Sequence, residues 1–131
     1  MSSIDGSGNS TSGVELVSGA GAWSTLSDRS SKENIEVVDP GEVLKKVSKL
    51  PISIWNWKAQ EPSIRHMGPM AQDMHAAFGL GEDERRISTV DSDGIALAAI
   101  QGLYEENQQI EARIAEMEAR IMQVMGDRTC Q

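Results

Sequence analysis

An α+β chain is what this sequence predicts: a small mixed head of short strands and helices, followed by one long C-terminal helix that forms a coiled coil. Three observations carry that expectation. Residues 100–124 repeat apolar side chains with heptad spacing. The run PISIWNWK alternates as a strand does, and DPGEVLKKVSKLP has helical spacing between a capping Asp-Pro and a terminating proline.

The 131 residues suit one domain with appendages. Three Trp, one Tyr and one Phe are too few aromatics for a large self-contained core. Small chains bury little surface, and oligomerisation is a common remedy. The net charge of −8 argues against nucleic-acid backbone or anionic membrane as the main partner, since both demand a basic face. There is no apolar run of membrane-spanning length and no basic-then-apolar leader at the N-terminus, so the chain is expected to act in a cytoplasm. Cys130 is the only cysteine, which excludes an intrachain disulfide and reads as a free terminal thiol.

Along the chain, MSSIDGSGNSTSG is Gly/Ser-rich and cannot offset its own ordering entropy, so a flexible lead-in is expected. In GVELVSGAGAW, Val14 and Leu16 alternate as a short strand before a glycine turn. That strand must pair within this chain or with a neighbour, because a lone strand is unstable in water. Asp39 caps a helix whose first residue is Pro40, and Val43, Leu44, Val47 and Leu50 share a face until Pro51 ends the run. In PISIWNWK, Ile52 and Ile54 alternate with Ser53, Trp55 and Trp57. AQEPSIRHMG reads as turn, with Pro62 and Gly68 as breakers. MAQDMHAAFGLG reads as a short helix with Gly79 or Gly81 at its C-cap. RRISTV reads as a second brief strand, and Asp91 or Ser92 as the cap of a last helix beginning near Ile95.

In that last helix Ile100, Leu103, Asn107, Ile110, Ile114, Met117, Ile121 and Val124 are spaced 3, 4, 3, 4, 3, 4, 3. Ile100, Asn107, Ile114 and Ile121 fall at a, and Leu103, Ile110, Met117 and Val124 at d, which implies a left-handed supercoil. Isoleucine at a with mixed d residues leaves dimer, trimer and tetramer open, although Ile110 at d leans away from a dimer. Asn107 costs stability and fixes register. In a parallel bundle Arg113 would face Glu118 favourably, whereas Glu106 would face Glu111. The competing reading is a single amphipathic helix packed on its own domain.

The blocks SDRSSKENI, LPISIWNWK, SIRHMGPMAQDMHAAFGLG and VDSDGIALAAIQGLYE, in that order, resemble the peptidase S74 domain. This is the C-terminal intramolecular chaperone and auto-processing domain of phage tail spikes and tail fibres of the endosialidase type. The resemblance runs from about Leu26 to about Glu105. It implies that three copies associate through a parallel trimeric coiled coil, help the upstream fibre shaft of the same polypeptide to fold, and then cut the Leu26–Ser27 bond. The organisation expected is 1–26 as flexible lead-in and last shaft strand, 27–96 as head, and 97–131 as coiled-coil helix. The partners implied are two further copies of the chain and the shaft, with no nucleic acid, membrane, metal or cofactor. Assembly is expected in the host cytoplasm, with the upstream part going to the virion tail fibre and the released domain not retained.

The resemblance gives Ser27 as nucleophile and Lys32 as base. A serine hydroxyl needs a base beside it, and lysine serves only as the free amine, a form favoured by burial or cationic neighbours. On one ideal helix, positions five apart lie about 140° apart, so the pair must meet through a turn or between chains. The alternative roles are a helix cap for Ser27 and a solvated charge for Lys32. Asp28 either orients Lys32 or caps the next turn. His66 and Gln72 are supporting candidates, near the site or near its oxyanion, with a packed-loop histidine the equal alternative for His66. His75 reads as surface, since the two histidines lack ligand spacing. DSDG lacks the later ligands of a calcium loop and reads as a helix cap. Met67, Met70 and Met74 read as core filler, and Trp55 and Trp57 as core or subunit-interface packing. The other functions considered are a structural trimerisation module that never cuts and an unrelated coiled-coil adaptor.

Overall fold

A computed structural model describes residues 2–4, 10–16 and 18–129, with side chains from 12–16 and 18–127. Cys130 lies outside the described residues. The chain forms two compact units, Met1–Val37 and Val38–Gln131, each described by itself.

The first unit is a three-stranded antiparallel sheet in the order β1 (Ser2–Ile4), β2 (Ser10–Glu15), β3 (Ser24–Thr25). The strand expected around Val14 is present, and its neighbours come from this chain: Val14 pairs with Thr25, and Ser3 with Ser12. Strand pairing therefore reaches into the Gly/Ser-rich lead-in, where composition alone predicts none. Backbone hydrogen bonds do not depend on side-chain hydrophobicity, so a polar segment can still serve as a partner strand. Beyond β3 the chain enters a 3₁₀ turn, Arg29–Ser31.

The second unit begins with α1 (Pro40–Val47). Asp39 caps it as expected: its Oδ1 accepts from the Gly41 and Glu42 N–H groups at 2.8 and 3.2 Å. The strand β4 (Ser53–Trp55) follows, ending before Trp57, and pairs antiparallel with β5 (His66–Gly68). The partner strand thus comes from the stretch that reads as turn, and RRISTV is not a strand. There Asp83 accepts from the Arg85 N–H at 2.7 Å and pairs with Arg86 at 2.6 Å, which holds the segment as a turn. The helix α2 (Ala71–Phe78) ends at Gly79, whose φ of 64° is the left-handed cap that glycine adopts without strain.

The last helix, α3 (Thr89–Thr129), starts six residues before Ile95. The Ser92 N–H bonds to the Ser88 carbonyl at 3.1 Å, so DSDG lies within the first turns and does not cap them. Asp91 there complements the positive end of the helix dipole. One side of α3 buries Ile95, Ala98, Ala99 and Gly102 beneath α1 and the end of α2. A Cβ at Gly102 would fall on the Pro40 carbonyl, 2.7 Å from its carbon and 3.1 Å from Leu44 Cβ, so only glycine permits this approach. Of the three methionines read as core filler, Met74 is buried while Met67, on β5, and Met70, at the start of α2, are exposed. No helix among the described residues is long and apolar enough to cross a membrane.

Candidate functional site

The site is built at the edge of the first unit. The Leu26 N–H bonds to the Gly13 carbonyl at 3.0 Å, which extends the β2–β3 ladder by one residue. Asp28 is extended (φ −65°, ψ 136°), and its Oδ1 accepts from Ser30 N and Ser30 Oγ, both at 2.7 Å. The Ser31 and Lys32 N–H groups close the turn onto the Asp28 and Arg29 carbonyls, each at 3.2 Å. The chain leaves this turn extended at Lys32 (φ −123°, ψ 147°).

The turn brings positions 27 and 32 onto one side, where Lys32 Nζ donates to Ser27 Oγ at 2.6 Å. Both side chains are exposed. Of the two roles open to Asp28, capping is the one its contacts show. The Ser30 hydroxyl, then the Ser30 N–H, hold the Asp28 carboxyl below its ordinary value, with a smaller contribution from the Lys32 charge. Ser27 itself caps no helix, since that position belongs to Asp28.

His66 and Gln72 belong to the second unit. His66 is half-buried on β5, its Nε2 2.8 Å from Gln60 Oε1 and its ring stacked 5.0 Å from Trp55. Trp57 meets Trp55 edge-on at 4.9 Å, and the Trp55 Nε1 is buried without a partner among the described residues. Gln72 is exposed at the start of α2, on the wall of an open cavity of about 580 Å³ shared with Trp55, Trp57 and Arg85. His75 is half-buried, and its Nδ1 donates to the Leu80 carbonyl at 3.2 Å just past Gly79. No group of three or more His, Cys, Asp or Glu suited to a metal occurs among the described residues. The predicted seam residues, Ile100 to Val124, lie along one face of α3 and are exposed in the single chain.

Residues 27–79 match the Peptidase_S74 family model, described as chaperone of endosialidase. This segment is therefore similar to a Peptidase S74 domain. No curated protein matches the chain. The S74 match opens on Ser27, the residue that receives the Lys32 hydrogen bond, and closes on Gly79, the left-handed cap of α2. The seam on α3 lies beyond it. Within the S74 segment, sequence reasoning passed over Ser30 and Gln60. The Asp-X-Ser spacing at Asp28–Ser30 is a legible capping signal, whereas Gln60 reaches His66 only through the fold.

Proposed function

We propose that this chain is a self-cleaving intramolecular chaperone that assembles as a parallel homotrimer through α3. In this reading it helps an upstream fibre shaft to fold in the host cytoplasm, and then releases itself at Leu26–Ser27. The observation that carries this reading is the 2.6 Å contact between Lys32 Nζ and Ser27 Oγ at the first residue of the S74 segment.

The chemistry follows from the order of atoms in the chain. As the uncharged amine, Lys32 takes the Ser27 hydroxyl proton while Oγ attacks the Leu26 carbonyl. Collapse of the tetrahedral adduct expels the Ser27 nitrogen, which receives that proton from the lysine. The acyl group then rests on Oγ as an ester. Water hydrolyses the ester, leaving a Leu26 carboxylate and a new amino terminus at Ser27. The alternative is direct attack on a carbonyl presented by a strained turn; either route acts once. Backbone N–H groups are the simplest source of oxyanion stabilisation for both.

Two features support assembly as the trigger. A lysine acts as a base when withdrawn from water, and both side chains are exposed in the single chain, so neighbouring copies are expected to enclose them. The first turns of α3 are also apolar on two sides. Ile95, Ala98, Ala99 and Gly102 face α1, while Leu97, Ile100 and Tyr104, about two-thirds exposed at 65%, 64% and 65%, flank or join the seam. An apolar stripe on a helix normally faces a packing partner.

Intact mass and N-terminal sequencing of the expressed chain test the proposal. The expected result is a product beginning Ser27-Asp28-Arg29, absent in Ser27→Ala and in Lys32→Arg, whose guanidinium stays protonated. The exposure of the pair favours a second reading, a trimerisation module that never cuts. A wild-type chain that stays whole while trimeric would select it.

A further inference from the structure

We propose that Asn34 is a positioning residue for the Ser27–Lys32 pair and acts through its backbone; this rests on the self-cleavage reading above. Asn34 has φ 52° and is the only non-glycine residue in the left-handed region among the described residues. Its side chain makes no hydrogen bond there, which leaves the backbone as the feature it supplies.

The geometry around it gives the reason. Lys32 is held from the N-terminal side by its N–H on the Arg29 carbonyl at 3.2 Å. Lys32 is extended, and two residues later the chain bends at Asn34 with its positive φ. The lysine backbone therefore lies between a closed turn and a left-handed bend, with Nζ 2.6 Å from Ser27 Oγ. Lysine is long and flexible, so without the second restraint its amine would sample many positions away from the hydroxyl. Reactions of this kind depend on holding the reacting atoms in near-attack geometry. Asparagine tolerates the left-handed region, glycine enters it freely, and residues with an ordinary Cβ resist it. The residues just beyond, Ile35 to Val37, are exposed; Val37 is 99% exposed.

The test is the first-order rate of appearance of the Ser27 terminus, read by intact mass, in wild type, Asn34→Gly, Asn34→Ala and Asn34→Val, with Ser27→Ala as the uncut reference. Asn34→Gly is expected to cut at the wild-type rate. Asn34→Ala and Asn34→Val should cut about tenfold more slowly, because the competent backbone is populated about tenfold less. The pH dependence of the rate should keep its shape, since the reacting groups are unchanged. Asn34→Ala or Asn34→Val cutting at the wild-type rate overturns the proposal. So does Asn34→Gly slowed as much as Asn34→Ala, which would assign the role to the side chain. If wild type stays whole, the cleavage reading fails separately. The positioning role is then read by NMR as the proximity of the Lys32 ε-protons to the Ser27 β-protons: kept in Asn34→Gly and lost in Asn34→Val supports it, and equal in all three overturns it.

Discussion

Replacing Gly102 by alanine probes the closest packing in the second unit. The added methyl carbon would land on the Pro40 carbonyl group, 2.7 Å from its carbon, and 3.1 Å from Leu44 Cβ. The first neighbour is backbone in the opening turn of α1, which Asp39 holds by two hydrogen bonds, so it cannot step aside as a side-chain tip would. Overpacking of this kind costs about 1–3 kcal/mol. Alanine returns up to about 1 kcal/mol of helix propensity over glycine. The net expectation for Gly102→Ala is a loss of about 1–2 kcal/mol, with α1 prised from α3. Gly94→Ala is the matched control in the same helix. A Cβ there meets nothing within 4 Å, so it should gain up to about 1 kcal/mol. The assay is thermal unfolding followed by circular dichroism at one fixed protein concentration, because association also shifts the midpoint. In a domain of this size each kcal/mol moves the midpoint by roughly 4–8 °C. Gly102→Ala as stable as Gly94→Ala would refute the close approach of α1 to α3.

Asn107→Ile replaces the one polar a-position residue of the seam and should raise the melting temperature while broadening the distribution of oligomers seen by native mass spectrometry; a single unchanged species would count against a register role. The Asp28 carboxyl should titrate below 3.8 in a carbon-detected NMR titration, and Ser30→Ala should move its midpoint upward. Because folding lowers this value, the ionised carboxylate favours the turn above pH 3.8, and that contribution is lost as pH falls through the lower folded-state value. A midpoint at or above 3.8 would contradict the Ser30 contacts.

Much of the helical architecture is legible in the sequence because its signals are local. Asp39-Pro40 marks the start of α1, and Gly79 the end of α2. The strands are less legible. At three residues, β5 is too short to show alternation, and the Gly68-Pro69 that follows it reads as a break. Its existence depends on pairing with β4, a tertiary fact. RRISTV misleads in the opposite direction, since β-branched residues invite a strand where the Asp83 contacts make a turn. DSDG looks like a cap because Asp, Ser and Gly favour caps, yet helix propensity is a weak prior once Ile95 and Ala98 are packed. At the site, residue spacing left open whether Ser27 and Lys32 meet at all. The 3₁₀ turn that joins them rests on Asp28 and Ser30, and nothing in the residue types around Asn34 shows that its backbone is left-handed.

The helix α3 runs without interruption from Thr89 to Thr129, about 60 Å. It carries both the face packed against α1 and the exposed face of the predicted seam. Each residue turns it by about 100°, so twisting it by a single step would lift Ile95 and Ala98 out from under α1 and carry Ile100 away from the axis of any bundle. With no joint in the helix between these two faces, whatever fixes the angle of the exposed face also fixes the angle of α1.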